Sequence, residues 1–487
     1  MNMRKLLLLT GALTLLLISC TPQEQKNLAI IQGKVLYDID EIKFEWFKEH
    51  SAEIKPQTYI AKVDSVGNFT VEIPIQQLSK GMMITNNQRY DLVLIPEDHI
   101  KVSITKDSII YSGKGAEKNN FLQELSQNKK CSRMDIMMSW YREEHELNDF
   151  YIMIDEYINT RKMEFEKFST SHTLQKEFID YFNIENQLDY VDLYEQAVIA
   201  YSRKNGIPID SLEIPVEFEK QYSIQGLLND KYLVYSNYLH ILNGMIRSNV
   251  ERIINTDTSL KRDEVKLSII MDSLSGRIRE HYLVQGIYYN LSIYDKYDSS
   301  MVSAFNTIKT DENCIKVVET ELIKFNKKKE MIGAPLHNDF LQTILCDTSK
   351  TKMTIAEVLS KSKGKVIYLD IWSLGCGPCR MAMPLSKKLK EKLKDYPIEF
   401  IYLTVDNYSD KLWDEVFKVS LTQDNHYRFE KGINSKLHEL FNIMAIPAYI
   451  LIDKKGNLVS YNAERPYNRM MQENPELEKI LIDLASY

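Results

Sequence analysis

Cys376 and Cys379, with Gly377 and Pro378 between them, come directly after a near-continuous apolar run at 366–371. Such a run, carrying a single acid (Asp370), reads as a central strand buried on both faces. The chain then opens a helix, because Pro378 has the backbone angle suited to a first helical turn. Cys376 falls at that helix N-terminus, where unpaired N–H groups and the macrodipole favour an anion, so its thiol is expected to be acidic. Three residues on, Cys379 shares the same face, can close a disulfide, and lies deeper in the helix as the resolving thiol. Exchange then runs through a mixed disulfide. A lone C-x-x-C can also be half a zinc site, but no second ligand pair follows at zinc spacing. His426 and His438, the only histidines downstream, read as surface or core residues. No metal and no other cofactor is expected.

The other end of the chain reads as an address. Arg4 and Lys5 precede an apolar run at 6–18, interrupted by Thr10, Gly11 and Thr14. A bilayer-spanning helix needs ~20 apolar residues, so this is a signal-peptide core rather than an anchor. It ends in Leu17, Ile18, Ser19 and Cys20, which resembles the lipobox of bacterial lipoproteins. The resemblance implies a signal peptide at 1–19, lipid on Cys20, and a polar tether at 20–27. Lipid there would hold a soluble body at a membrane surface. Thr21, rather than Asp, follows the cysteine, which favours the outer membrane over the inner. The alternative is an ordinary secretory signal with an incidental cysteine. Either way the expected compartment, the periplasm, permits disulfides.

Between these ends, 487 residues imply about three domains. Lys and Arg number 61 against 68 Asp and Glu, and that mild acidity gives no reason to expect a nucleic-acid partner. Only 17 Gly beside 29 Tyr and 17 Phe point to long elements with few tight turns. Residues 28–115 read as a β-sandwich-like domain, with strands near 29–35, 59–63, 69–73, 92–95 and 100–104 and a turn at 64–68. Residues 116–330 read as α-helical. Phe150, Ile154, Tyr157, Ile158, Arg161, Phe165 and Phe168 step by three and four, and Leu174, Phe178, Tyr181 and Leu188 continue the phase. Lys327, Lys328 and Lys329 read as a solvated helix end. Residues 331–487 alternate strand and helix, with a strand at 398–405, a helix at 409–418, a hairpin around 453–457 and a closing helix near 477–484.

The segment from Trp372 through Cys376, Gly377, Pro378 and Cys379 to Arg380 resembles the active-site segment of the thioredoxin superfamily. Asp370 matches that family's buried acid, Pro384 the proline of the active-site helix, and Ile446 with Pro447 the cis-proline loop. The long gap between Cys376 and Pro447, Met331 to Pro335, and Ala463 to Pro466 resemble the TlpA/ResA-like branch. The β-rich region is similar to the domain that precedes a thioredoxin module in many Bacteroidetes lipoproteins.

The resemblance implies an α/β thioredoxin-like fold over 331–487 and a thiol–disulfide oxidoreductase, of the kind that serves disulfide reduction and cytochrome complex assembly. Cys376, Cys379 and Asp370 would be its catalytic groups. Trp372, Gly377, Pro378, Ile446 and Pro447 would face the substrate. The implied partners are exported proteins carrying disulfides or dithiols, an unidentified electron donor, and the membrane through lipid on Cys20. Two positions depart from the pattern: Gly375 where a second Trp is usual, and Ala382 where many members carry Glu. Cys131, Cys314 and Cys346 match no metal motif and read as buried thiols or at most one bridge. Two other functions fit less well. A ligand-binding lipoprotein with a structural thioredoxin module would not need Cys376, Cys379, Asp370 and Pro447 intact. A peroxiredoxin would carry Pro where Leu369 stands.

Overall fold

The computed structural model describes residues 27–46, 56–85, 88–142, 144–213, 223–235, 237–406, 425–430, 436–441, 443, 445–468 and 472–486. Cys20, the leader at 1–19 and the expected helix at 409–418 lie outside the described residues. Among those described, no helix is long and apolar enough to cross a membrane. The chain divides into two compact units, one of residues 1–50 and 55–248, the other of 51–54 and 249–487.

The first unit begins with eight strands: β1 (Leu28–Val35), β2 (Glu41–Trp46), β3 (Gln57–Lys62), β4 (Asn68–Pro74), β5 (Ser79–Thr85), β6 (Gln88–Leu94), β7 (His99–Ile104) and β8 (Ile109–Lys114). They form two four-stranded sheets, ordered β4-β1-β7-β8 and β3-β2-β5-β6. Alternate residues such as Ala29, Ile31, Phe44, Trp46, Ile100 and Val102 fill one core between them, as period-two burial requires. The turn at 64–68 forms because the Asp64 carboxylate accepts the Val66 and Asn68 N–H groups, while Gly67 takes a left-handed φ of 89°.

Helix α1 (Glu117–Gln127) caps one edge of each sheet. Asn119 offers its side-chain amide to β6 as a strand would: it accepts from Val93 N at 2.8 Å and donates to Val93 O at 3.0 Å. Asn120 does the same to β8, accepting from Tyr111 N at 3.3 Å and donating to Tyr111 O at 2.9 Å. Both strands are sheet edges, where unpaired backbone groups otherwise invite pairing with another chain.

Helices α2 (Arg133–Arg142), α3 (Leu147–Ser171) and α4 (Lys176–Asn205) follow. The aromatic stripe read as continuous is broken at 172–175, so Phe150 to Phe168 lie on α3 and Phe178 to Leu188 on α4. The two faces meet: Phe165 stacks on Phe182 with ring centres 4.1 Å apart. Helix α5 (Tyr238–Thr256) contains the division between the units.

In the second unit, α6 (Arg262–Ser273), α7 (Gly276–Ser292), α8 (Ser299–Ile308) and α9 (Glu312–Glu330) precede a seven-stranded sheet. Its strands are β9 (Ile344–Cys346), β10 (Lys352–Thr354), β11 (Val366–Trp372), β12 (Ile398–Thr404), β13 (His426–Phe429), β14 (Ala448–Ile452) and β15 (Leu458–Ser460), in the order β10-β9-β13-β12-β11-β14-β15. β11 pairs with β12 in parallel and with β14 antiparallel, and all seven of its residues are buried. Ile367, Leu369 and Ile371 face one core, with Phe340 of α10 (Asn338–Leu341), Val358 of α11 (Ile355–Ser360) and Phe441 of α13 (Lys436–Phe441). Val366, Tyr368 and Trp372 face the other, against α12 (Gly377–Lys392) and α14 (Pro475–Ser486). Lys328, expected to be solvated, is only 5 % exposed. Its ammonium donates to Asp295 Oδ1 at 3.3 Å and lies over the Tyr461 ring at 5.0 Å, and the Tyr461 hydroxyl donates to the same Asp295 oxygen at 2.7 Å.

The edge closure by α1 is open to a direct check. Asn119→Ala orphans the buried Val93 N–H and C=O, each worth about 1–3 kcal/mol when unpaired. Urea denaturation should show a loss of about 2–4 kcal/mol. Asn120→Ala, whose contacts are only part-buried, should cost less.

Candidate active site

β11 delivers the chain to the site at its carboxyl end. After Trp372 the backbone turns, with Cys376 N donating to Ser373 O at 3.1 Å, and enters α12. Cys376 is the N-cap of that helix, and its Sγ accepts the Cys379 N–H at 3.1 Å. A sulfur atom thus occupies the place where a capping oxygen usually satisfies an orphan N–H. Pro378 lies in the first turn, where its missing N–H costs nothing. Cys376 and Cys379 are joined in a disulfide, their Cα atoms 5.3 Å apart. The two sulfurs differ in access: Cys376 is half-buried, and Cys379 is 2 % exposed.

Across from the disulfide lies the Ile446–Pro447 peptide, which is cis. The Ile446 carbonyl oxygen stands 3.7 Å from Cys376 Sγ. Gly377 and Pro378 are exposed beside the disulfide, Ile446 is half-buried, and Pro447 is buried behind it. Trp372 is not at the substrate face. It is 1 % exposed, with its ring edge-on to His426 at 5.8 Å. The alternation of β11 explains this, since position 372 points the same way as Val366 and Tyr368, into the core under α12.

Asp370 shares that face, 3 % exposed, in register with Tyr402 on one side and Tyr449 on the other. Among the described residues no basic side chain compensates it, and burial pushes its carboxyl from the ordinary 3.8 up to about 7. An acid of that strength beneath a dithiol can give and take a proton near neutrality.

One part of the site had no clear motif in the sequence. Asp406, two residues beyond β12, is 8 % exposed and turns its carboxylate onto the loop that carries Cys376. It accepts from Leu374 N at 2.6 Å, from Thr404 Oγ1 at 2.7 Å and from the Ser373 hydroxyl. The available signal was topological: residues after two adjacent parallel strands meet at their carboxyl ends.

Cys131, Cys314 and Cys346 are buried free thiols away from any disulfide. Burial raises the Cys131 and Cys314 thiols above their usual range, which disfavours the reactive thiolate at both. His281, Asp311 and Cys314 bring three donor atoms within 4.8 Å of one another. Asp311 is, however, the N-cap of α9, accepting from Asn313 N and Cys314 N, and Arg277 stands 3.9 Å from its other oxygen. With a helix N-terminus and a guanidinium already supplying positive charge, the group is accounted for as a helix cap.

Residues 364–458 match the thioredoxin-like family model. Thioredoxin-like protein YneN of Bacillus subtilis is 27 % identical over 124 residues, 25 % of this chain and 69 % of its own length. Thiol-disulfide oxidoreductase ResA of Bacillus cereus is 26 % identical over 136 residues, 28 % of this chain and 70 % of its own. Among solved structures, the thioredoxin domain of a thiol-disulfide oxidoreductase from Bacteroides vulgatus aligns with 20 % identity and a TM-score of 0.24, covering 29 % of this chain and 91 % of that one.

The buried acid has a stability signature. A carboxyl whose folded pKa is raised stabilises the fold below its unfolded pKa, and that contribution is lost as pH rises through about 7. A shift of about three units is worth about 4 kcal/mol. Asp370→Asn should therefore match the parent near pH 4 and exceed it by up to about 4 kcal/mol above pH 8. Parallel pH–stability curves would show that Asp370 ionises as easily folded as unfolded.

Proposed function

From the premise that this chain carries a TlpA/ResA-like domain of the thioredoxin superfamily, we propose that it is a thiol–disulfide oxidoreductase that reduces protein disulfides in the periplasm, held at the membrane by lipid on Cys20. The observation that carries the activity is the unequal placement of two bonded cysteines: one half-exposed at a helix N-terminus, the other buried in the first turn.

In the reduced form the Cys376 thiolate attacks one sulfur of a substrate disulfide. A new S–S bond forms, and the other substrate sulfur leaves as a thiolate. The Cys379 thiol gives up its proton, with Asp370 as acceptor directly or through a water, and attacks Cys376 Sγ. The mixed disulfide breaks, the substrate leaves with both sulfurs reduced, and the 376–379 bond is restored. Two electrons have passed to the substrate, and a donor dithiol must return them. The Ile446–Pro447 loop supplies backbone beside Cys376 for an extended substrate segment. The membrane reading rests on the lipobox resemblance at residues 17–20 together with the short apolar core before it.

Two measurements test this. In the reduced chain at neutral pH, iodoacetamide should label Cys376 much faster than Cys379, and Cys379→Ser should trap mixed disulfides with envelope proteins. Equal labelling would remove the assignment of attacking thiol. For the anchor, the parent chain should incorporate palmitate in a bacterial host and Cys20→Ser should not; palmitate on the variant would rule out Cys20 as the acylated residue.

A further inference from the structure

We propose that Asp406 is a positioning residue for Cys376: its carboxylate clamps the loop between β11 and α12 and so fixes where the attacking sulfur stands. The inference rests on the oxidoreductase reading and names a residue that the reading itself does not require. β11 and β12 pair up to Trp372 and Thr404, and Val405 N still donates to Trp372 O at 2.9 Å. Beyond that the strands part, and among the described residues Leu374 N has no backbone partner across the gap. The Asp406 carboxylate takes over, accepting Leu374 N and the Ser373 hydroxyl, and is itself held by the Thr404 hydroxyl. Hydrogen bonds to an ionised acceptor are shorter and stronger than neutral ones, so three converging on one buried carboxylate make a stiff joint. Ser373 is both gripped by Asp406 through its hydroxyl and bonded to Cys376 N through its carbonyl oxygen. One residue therefore links the clamp to the sulfur-bearing cap.

A rigid approach matters in thiol–disulfide exchange because the attacking sulfur must meet the substrate S–S bond in line, and misplacement by about 1 Å can cost ~10²-fold in rate. Asp406 does not touch the reacting sulfurs. Its effect should therefore fall on the rate of the chemical step and leave substrate binding alone.

The test uses the full chain, with dithiothreitol as electron donor and insulin as disulfide substrate, and reports rates per folded molecule. Asp406→Asn keeps the shape but presents an amide N–H₂ toward N–H and O–H donors. It should lower kcat by ~10–100-fold with KM within about threefold of the parent. Thr404→Val and Ser373→Ala each delete one donor and should each lower kcat several-fold. Hydrogen exchange at the Leu374 amide should speed up in Asp406→Asn by at least tenfold. Should Asp406→Asn fold poorly, Thr404→Val, which keeps the side-chain shape, tests the proposal through its several-fold fall in kcat at unchanged KM. Variants that melt earlier but turn over at the parent kcat would overturn the proposal, since the contact would then be structural only. A loss confined to KM would also overturn it. If the parent chain reduces no insulin, the oxidoreductase reading falls first and the clamp with it, so the two failures are distinguishable.

Discussion

β11 is hydrogen-bonded on both edges and covered on both faces, so its carboxyl end is the one place where it can hand reactive groups to solvent. What makes that end chemical is the change of backbone partner there. Up to Trp372 the N–H groups belong to a sheet; from Gly377 they belong to the open end of a helix. The helix leaves N–H groups unpaired, and the chain answers with a sulfur, Cys376 Sγ on Cys379 N. The same bond that finishes the helix prepares a thiolate site, because a cap that accepts hydrogen bonds is a better acceptor when it is an anion. In the proposed cycle, capping and nucleophile activation are one interaction.

Burial then divides labour between two side chains that are chemically identical. Cys376 keeps access to partners. Cys379, a turn deeper, is buried over the face of β11 that also carries the buried Asp370. Because Asp370 lacks a cation among the described residues, it is held near neutrality in pKa rather than low. It can therefore take a proton from a thiol that water hardly reaches. Giving Asp370 a salt-bridge partner would stabilise the carboxylate but lower its basicity, so in the proposed cycle the stability given up by a lone buried acid would serve proton transfer.

Much of this was legible in the sequence for physical reasons that act locally. A buried strand must be apolar, a helix start must be capped, and a C-x-x-C at their junction leaves few folds to choose from. The hairpin around 453–457 was equally plain, with Asp453 accepting the Lys455 and Asn457 N–H groups and Gly456 at a φ of 87°. What escaped was set by tertiary contact. Strands β5 and β8 lack a clean alternating signature and are held by pairing with their sheet neighbours. Trp372 looked like a substrate contact from its place in a motif, yet strand parity sends it inward. Asp406 carries no local signal, since its three donors include Leu374 and Ser373, more than thirty residues away.

Lys328 shows the same limit from the opposite side, and it bears on where the redox domain begins. A basic run at a helix end reads as solvated, and in an isolated helix it would be. Here Lys328 is buried because Asp295, at the end of α7, supplies a carboxylate and Tyr461, just past β15, supplies a ring face and a hydroxyl. Asp295 is thus shared between a helical ammonium and a hydroxyl that belongs to the sheet. Just beyond, Gly333 N donates to Leu458 O, and Leu458 N donates to Ala334 O, extending the β15 edge into the segment that leaves α9. A boundary at 331 keeps those Gly333 and Ala334 bonds on the side of β15 but separates Tyr461 from Asp295 and Lys328. Through Asp295 and Lys328 the segment after α7 and the end of α9 are joined to the residue that follows β15, and a piece that keeps Tyr461 in its present surroundings includes both.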